Sequence, residues 1–291
     1  MKIAIIGTGY IGGNLTRVFT KSGHEVSIAN SSNTHVLQAL ADETGATPAT
    51  INDVTQGAEV VIISIPQKNI PDLPSGFLDK ITPGAIVIDT GNYYPLLRDG
   101  LIEPIEKGIP ESRWVEQQIK YPVIKALNAS LWYNLTPEVQ AGLQGRLAMP
   151  VAGDNPEAKA IAFKLVEEVG FDPVDAGGLD DSWRLQPGSP AYCVELDVHS
   201  MRKALSDATN VRKSDVSAIH LSNEELKTAQ GMQAAFLKDV GRAIQILMES
   251  NDWSEAVATK ALYNQFAIGN KLPADILQFV FENKSLVPQN F

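Results

Sequence analysis

Cysteine is almost absent from this chain: Cys193 stands alone among 291 residues. One cysteine excludes an intrachain disulfide and fits a reducing compartment, so a cytoplasmic location is expected. No arranged base accompanies Cys193 in the sequence, so it is read as a buried thiol and not as a nucleophile. Histidine is nearly as scarce, with His24, His35, His199 and His220 scattered along the chain. Metal-ligand spacing is missing, and no metal site is expected. No run of Lys or Arg stands out against a net charge of −10, which argues against nucleic acid as a partner. Apolar runs fall well short of the roughly 18 residues of a membrane span. No charged segment followed by an apolar one precedes the first strand, so no secretory leader is expected. Fixed-period repeats and low-complexity stretches are missing too.

The first 13 residues, MKIAIIGTGYIGG, organise what is present. Residues 2–6 read as a short buried strand. Gly7, Gly9 and Gly12 follow in G-x-G-x-x-G spacing, then a helix over 14–22 and a second strand over 25–29. The spacing has a physical reason. Gly7 permits the tight turn, Gly9 carries no side chain to block a pyrophosphate, and Gly12 lets the helix pack close to the sheet. Unpaired N–H groups and the dipole of the helix attract phosphate. A glycine loop between a strand and a helix is the context that makes this motif a dinucleotide site. Gly7, Thr8, Gly9, Tyr10, Ile11 and Gly12 are therefore candidate cofactor-binding residues, and a small-molecule substrate is expected.

The end of the second strand discriminates between nucleotides. A site for NAD usually carries Asp or Glu there to bind the ribose hydroxyls. This chain has Asn30, Ser31, Ser32 and Asn33. No acid repels a 2′-phosphate and several donors could bind one, although no arginine stands by. The expected cofactor is NADP(H), with NAD(H) left open. The same residues also suit a turn and the start of a helix over 34–43.

Further along, residues 51–57 and 76–81 read as short helices. The stretch 58–65, AEVVIISI, is an apolar β-branched run, as expected for a strand covered on both faces. Ligands of doubly wound sheets lie outside the carboxyl ends of the strands, so Ile65, Pro66 and Gln67 are candidate cofactor contacts. A strand over 85–89 ends at Asp89, which either approaches the ligand or satisfies local backbone groups. Residues 96–118 read as a surface excursion carrying one helix, with Trp114 as a packing residue. A strand over 121–127 brings Lys125 and Asn128 to its end. Lys125 is either a phosphate or carbonyl contact or a solvated rim charge, the rim being the favoured reading. Asn128 offers both a donor and an acceptor to a nicotinamide or substrate. These two are the only candidate catalytic residues. A strand over 146–153, a helix over 155–169 and a strand over 171–176 end the alternation. The fold expected is α/β, a doubly wound and mostly parallel sheet over 1–178, followed by a bridge and a helical region over 179–291. In that region Ser222 and Glu225 form a capping box. Apolar residues from Leu226 to Leu247 then recur at helical spacing, and further helices are read over 255–267 and 274–283. That face suggests a homo-oligomer, in the simplest case a dimer.

Several of these stretches together resemble the family of NADP oxidoreductases that use the deazaflavin coenzyme F420. The residues that carry the likeness are Gly7-Thr8-Gly9-Tyr10-Ile11-Gly12, the ANSSN turn at 29–33, Ser64-Ile65-Pro66, Lys125-Ala126-Leu127-Asn128 and VDAGGLDDSWRL at 174–185. The likeness spans about the first 190 residues. It implies a Rossmann fold, NADP(H), and hydride exchange between the nicotinamide and a second planar acceptor such as the deazaflavin; the leading expectation is a reductase with a flavin-like, deazaflavin or carbonyl acceptor. Residues 8–11 would then hold the pyrophosphate, Ser31 and Ser32 the ribose phosphate, and Pro66 the nicotinamide side. Where the family has Ser-Arg after the second strand, this chain has Ser31-Ser32. A small hydroxy-acid dehydrogenase and a non-enzymatic NADP(H)-sensing protein are the two competing expectations.

Overall fold

A computed structural model of the chain describes residues 1–31, 34–143 and 145–209, with the isolated positions 248 and 254. The helical readings from Ser222 onward, and the dimer face built on them, lie outside the described residues.

Strand β1 (Lys2–Ile6) leads into helix α1 (Tyr10–Lys21) and strand β2 (Glu25–Ala29). Helix α2 (Thr34–Thr44), the two-residue strand β3 (Thr47–Pro48) and strand β4 (Val60–Ile63) follow. Then come β5 (Ile86–Asp89), α3 (Glu103–Glu106), α4 (Glu111–Ile119) and β6 (Val123–Lys125). These strands form one parallel sheet in the order β3-β2-β1-β4-β5-β6. That order is the Rossmann order, with its direction of travel reversing between β1 and β4. The register aligns Ile5 with Ile28 on one side and with Ile62 on the other.

The apolar runs explain the layers. Side chains alternate across a strand, so Ile3, Ile5, Val60 and Ile62 enter one core, which Leu15 and Phe19 of α1 cover. Ala4, Ile6, Val61 and Ile63 enter the other, covered by Trp114 and Val115 of α4. Each such side chain taken out of water contributes about 1.5–3 kcal/mol. Residues 96–118 are thus no surface excursion: α4 roofs one face of the sheet. Trp114 packs there, as read from sequence.

After β6 come α5 (Pro137–Ala141), β7 (Ala148–Val151), α6 (Pro156–Glu168), β8 (Asp172–Asp175) and α7 (Val198–Asp207). Asn155 caps α6 by accepting from the Ala158 amide at 2.9 Å, and Asp197 caps α7 from the Ser200 amide at 2.7 Å. β7 and β8 pair in parallel with each other. They do not simply close the main sheet. A single antiparallel bridge between Lys125 and Ala152 joins the two sheets. The packing runs on past residue 178: Leu179 belongs to the core under α4, and Leu185, Ala191 and Met201 pack on β7 and β8.

Other departures are local. α1 opens at Tyr10, inside the glycine motif, and not at residue 14. Residues 51–57 and 75–80 are turns, not helices. Gly57 and Gly76 there hold positive φ, 68° and 76°, which ends any helix locally. No helix among the described residues is long and apolar enough to cross a membrane.

Candidate functional site

The carboxyl edge of the main sheet has two differently built halves. After β1 the chain turns at Gly7, whose φ of 103° suits glycine. A Cβ there would lie 2.2 Å from the Ser64 carbonyl oxygen, and one on Gly12 would lie 1.9 Å from the Gly7 oxygen. Both glycines are therefore demanded by the fold itself. Gly9 is not: a Cβ built on it meets nothing within 4 Å, and its φ of −71° suits any residue. Its smallness serves no neighbour in the protein, which is what a cradle for an outside group requires. The N-cap residue Gly9 has no side chain to cap α1, and the first-turn amides of any helix have no partner within the helix itself. None of the first-turn residues is acidic, and an anion there gains from the helix dipole.

The lip of this loop is aromatic. Tyr10 is 60% exposed and stacks on Trp132, ring centroids 4.5 Å apart. The Asn14 amide donates to the Trp132 carbonyl at 3.1 Å and ties the two segments. At the end of β2, Asn30 donates to the Thr8 hydroxyl at 2.9 Å, so it fixes the loop from behind. Ser31 is exposed beside it. Ser32 and Asn33 lie outside the described residues. No acid occupies the first turn of α2.

The half after β4, β5 and β6 is a buried polar network. Asp89 is fully buried. One carboxylate oxygen accepts from Lys125 at 3.1 Å and from the Ser112 hydroxyl at 2.7 Å; the other accepts from the Gly91 amide at 2.8 Å. Lys125 also donates to the Gly91 carbonyl. Lys125 is thus no solvated rim charge, since its side chain is wholly enclosed and paired with Asp89. Asp89 serves local backbone, one of its two sequence readings, and the ion pair besides. Asn128 is 2% exposed. Its amide donates to Asn92 Oδ1 at 3.0 Å and to the Leu185 carbonyl at 2.8 Å. The preceding residue, Leu127, holds a φ of 60°, a conformation that a branched side chain adopts only when its surroundings impose it. Gln67 is fully buried, and neither amide atom finds a hydrogen-bond partner among the described residues. It sits behind Gly91, where a Cβ would come within 3.2 Å of its nitrogen. Ile65 and Pro66 remain half-buried at the surface. Of the contacts read from sequence at this end, Ile65 and Pro66 are half-buried, Ile65 packing on the core under α4, while Gln67, Lys125 and Asn128 are buried.

Several residues of this half carry no signal in the sequence, whereas Tyr93, Tyr94 and Pro95 read there as walls of a pocket; Tyr93 is in fact buried. Glu111 accepts from the Tyr93 amide at 3.0 Å. Asp99 accepts from the Tyr94 amide at 2.8 Å and from the Lys68 amide at 3.3 Å, so it joins the loops after β4 and β5. The Tyr93 hydroxyl donates to Glu106 at 2.8 Å and accepts from the Ile102 amide; burial raises its pKa. Tyr94 and Tyr192 hydrogen-bond through their hydroxyls. Burial pushes the Tyr94 phenol up to about 12. Burial raises Tyr192 further, with Cys193 and Tyr94 adding to it. The Cys193 thiol is pushed up to about 11 by burial, which suits an inert thiol better than a nucleophile. Only the clustered tyrosines of YY at 93–94 hinted at this in the sequence. Among the described residues no His, Cys, Asp and Glu side chains gather as metal ligands would.

Comparison with known proteins bears on the first half. Residues 2–93 match the model of the family described as NADP oxidoreductase, coenzyme F420-dependent. That span covers β1 to β5 and the glycine loop. The protein YjhV of Escherichia coli (strain K12) is 44% identical over 72 residues, 25% of this chain and 50% of YjhV. The chain thus spans half the length of that relative. The crystal structure of hypothetical protein SMa0349 from Sinorhizobium meliloti is 26% identical and superposes with a TM-score of 0.56, covering 67% of this chain and 95% of that one.

Proposed function

We propose that this protein is an NADP(H)-dependent oxidoreductase that moves a hydride between the nicotinamide and an acceptor of the flavin, deazaflavin or carbonyl type. The observation that carries the reading is Gly9: a glycine with no neighbour to demand it, ahead of an uncapped helix. The family match over residues 2–93 supports the same cofactor class.

The amides of residues 8–12 would hold the pyrophosphate, with Asn30 keeping Thr8 in place. Exposed Ser31 and the acid-free start of α2 suit a ribose 2′-phosphate better than a bare diol. Ile65 and Pro66 would line the nicotinamide half. When bound, the nucleotide supplies the hydride. The protein's part is to position two reactants and exclude water, which asks for little acid–base machinery near the cofactor. Gln67, Lys125 and Asn128 act beneath that surface by stiffening the loops that form it.

Titration with NADPH and NADH, followed by nucleotide fluorescence, tests the reading. NADPH is expected to bind about tenfold tighter or more, near 1.4 kcal/mol. Gly9→Val is expected to lose binding while its unfolding curve matches the wild type. Equal affinity for both nucleotides overturns the choice of NADP(H). Retained binding in Gly9→Val overturns the loop assignment. Tight binding without loss of nicotinamide absorbance against flavins, a deazaflavin and carbonyls overturns the oxidoreductase in favour of a sensor.

A further inference from the structure

Reduction of a carbonyl to an alcohol consumes a proton as well as a hydride, so a site for it needs an acid within reach. At the carboxyl edge most candidate groups are already engaged. Asp89 and Lys125 are enclosed and joined to each other. Glu111 receives the Tyr93 amide, and Asp99 receives two amides and Arg98. The Tyr93 hydroxyl is held between Glu106 and Ile102. Tyr94 and Tyr192 differ. Their hydroxyls bond to each other from positions 98 residues apart, and both rings are half-buried, not sealed.

Three loops converge on that pair. Tyr94 belongs to the loop after β5. Asp99 ties its amide to the Lys68 amide, in the loop after β4. The Cys193 amide, next to Tyr192, donates to the Ala129 carbonyl in the loop after β6, at 2.9 Å. Cys193 takes a φ of 52° to make that contact, and Leu127 in the same loop takes 60°. Backbone held in that region by non-glycine residues on both sides of one junction is a mark of a built site. The Arg98 guanidinium lies over the Tyr94 ring, 5.1 Å from its centroid.

We infer that the Tyr94–Tyr192 pair is the acid of a carbonyl-reducing site, handing a proton to the acceptor oxygen as hydride reaches the acceptor carbon. The inference rests on the reductase reading above and narrows its acceptor to a carbonyl compound. The bonds balance as follows. A C–H bond forms at the acceptor carbon with the hydride of a reduced nicotinamide nucleotide, which is oxidised. The C=O π pair moves onto oxygen. The Tyr94 O–H bond breaks, its proton joins that oxygen, and the alcohol leaves. The Tyr192 hydroxyl steadies the Tyr94 phenolate through their hydrogen bond, and water then returns the proton to Tyr94. An alkoxide is the stronger base, so the first transfer runs downhill. Burial keeps both phenols protonated at neutral pH. Around Tyr94, Cys193 and Glu111 disfavour the phenolate, while Arg98 and the Tyr192 hydrogen bond favour it. Asp99 bonds the Tyr94 amide, and its charge is shared with Arg98.

Two measurements on the full chain test this. In the first, 4-(dimethylamino)cinnamaldehyde is added to the protein with oxidised NADP, and its absorption is read without turnover. A hydrogen bond to the aldehyde oxygen moves the band to the red. That shift is expected in the wild type and lost in Tyr94→Phe. In the second, NADPH-dependent reduction of p-nitrobenzaldehyde is followed. Tyr94→Phe is expected to lower kcat about 100-fold, with NADPH affinity within about twofold of wild type. The residual rate should rise with the concentration of added imidazolium, because an external acid replaces the phenol. Tyr192→Phe should lower kcat less, since Tyr94 keeps its own proton and loses only the hydrogen bond that steadies its phenolate. A red shift kept in Tyr94→Phe, or kcat within about twofold of wild type, overturns the proposal. NADPH binding without reduction of either aldehyde overturns the carbonyl acceptor and leaves the cofactor reading standing. Absence of NADPH binding defeats that reading instead.

Discussion

The glycine loop after β1 and the polar network after β5 and β6 share one edge of one sheet, yet they are built from opposite materials. The loop offers backbone amides, and its side chains matter mostly by being small. The network offers side chains, and its backbone groups are mostly what those side chains hold. Gly7, Gly9 and Gly12 sit within six residues of each other. The network gathers Asp89, Ser112, Lys125 and Asn128, and Asn128 reaches a carbonyl 57 residues further on. A backbone cradle is local and tolerates no Cβ. A side-chain network is long-range and tolerates no missing partner. On the function proposed above, the first meets a ligand from outside, while the second holds the loops after β5 and β6 in one arrangement.

Three tests bear on this contrast, and the largest effect is expected within the loop itself. Gly12→Ala places a Cβ against the Gly7 oxygen and should cost more than about 4 kcal/mol in urea unfolding. Gly9→Ala, three residues earlier in the same motif, should stay within about 0.5 kcal/mol. If the two cost the same, the distinction between a glycine the fold needs and a glycine a ligand needs fails.

Next is Lys125→Met in the network. It strands Asp89 as a buried charge without its cation and should cost about 3–5 kcal/mol. The double variant Lys125→Met with Asp89→Asn should recover part of that, because no unpaired charge remains. An equal loss in single and double variants would mean that Lys125 contributes packing and not pairing.

The smallest effect concerns Asp154, which ties the chain after β7 to the turn at Leu179–Leu185. The Leu179 amide lowers its pKa most; partial burial opposes this, and Arg113 lowers it further. A carboxyl depressed in the folded state stabilises fully above its unfolded pKa, near 3.9. That stabilisation is lost as pH falls through the folded value. Asp154→Asn should therefore be less stable than wild type by a constant margin from about pH 7 to pH 5, and the margin should close below about pH 4. Thermal unfolding at several pH values measures it. A margin that persists unchanged in acid would show that the amide, and not the charge, was missed.

Legibility followed the same division. β2 is found where it was read, at Glu25–Ala29, and the buried runs of β1, β4 and β5 give the sheet its order. Apolar runs between glycines are local signals. The start of α1 was misplaced because helical spacing of Leu15, Val18 and Phe19 says nothing about the turn of glycines before them. β3 has two residues, too few for any pattern. At the site, the glycine loop was readable and the network was not. Nothing in the letters around Lys125 says that Asp89 and Gly91 would enclose it; a lysine at a strand end is a rim residue by composition alone. Tyr192 lies in a stretch without periodicity, and only the folded chain brings it to Tyr94.

Lys125 has one more property. Its side chain orders the loop after β5, while its amide and carbonyl exchange hydrogen bonds with Ala152, at 2.8 and 2.9 Å. Among the described residues this pair is the backbone bridge between the second sheet and the edge of the first. Closing that seam and setting the ion pair are then a single cooperative event. In hydrogen exchange the amides of Lys125, Ala152 and Gly91 should open together, as one unit of local unfolding. A protein built this way completes the carboxyl edge of its main sheet only when β7 and β8 have docked.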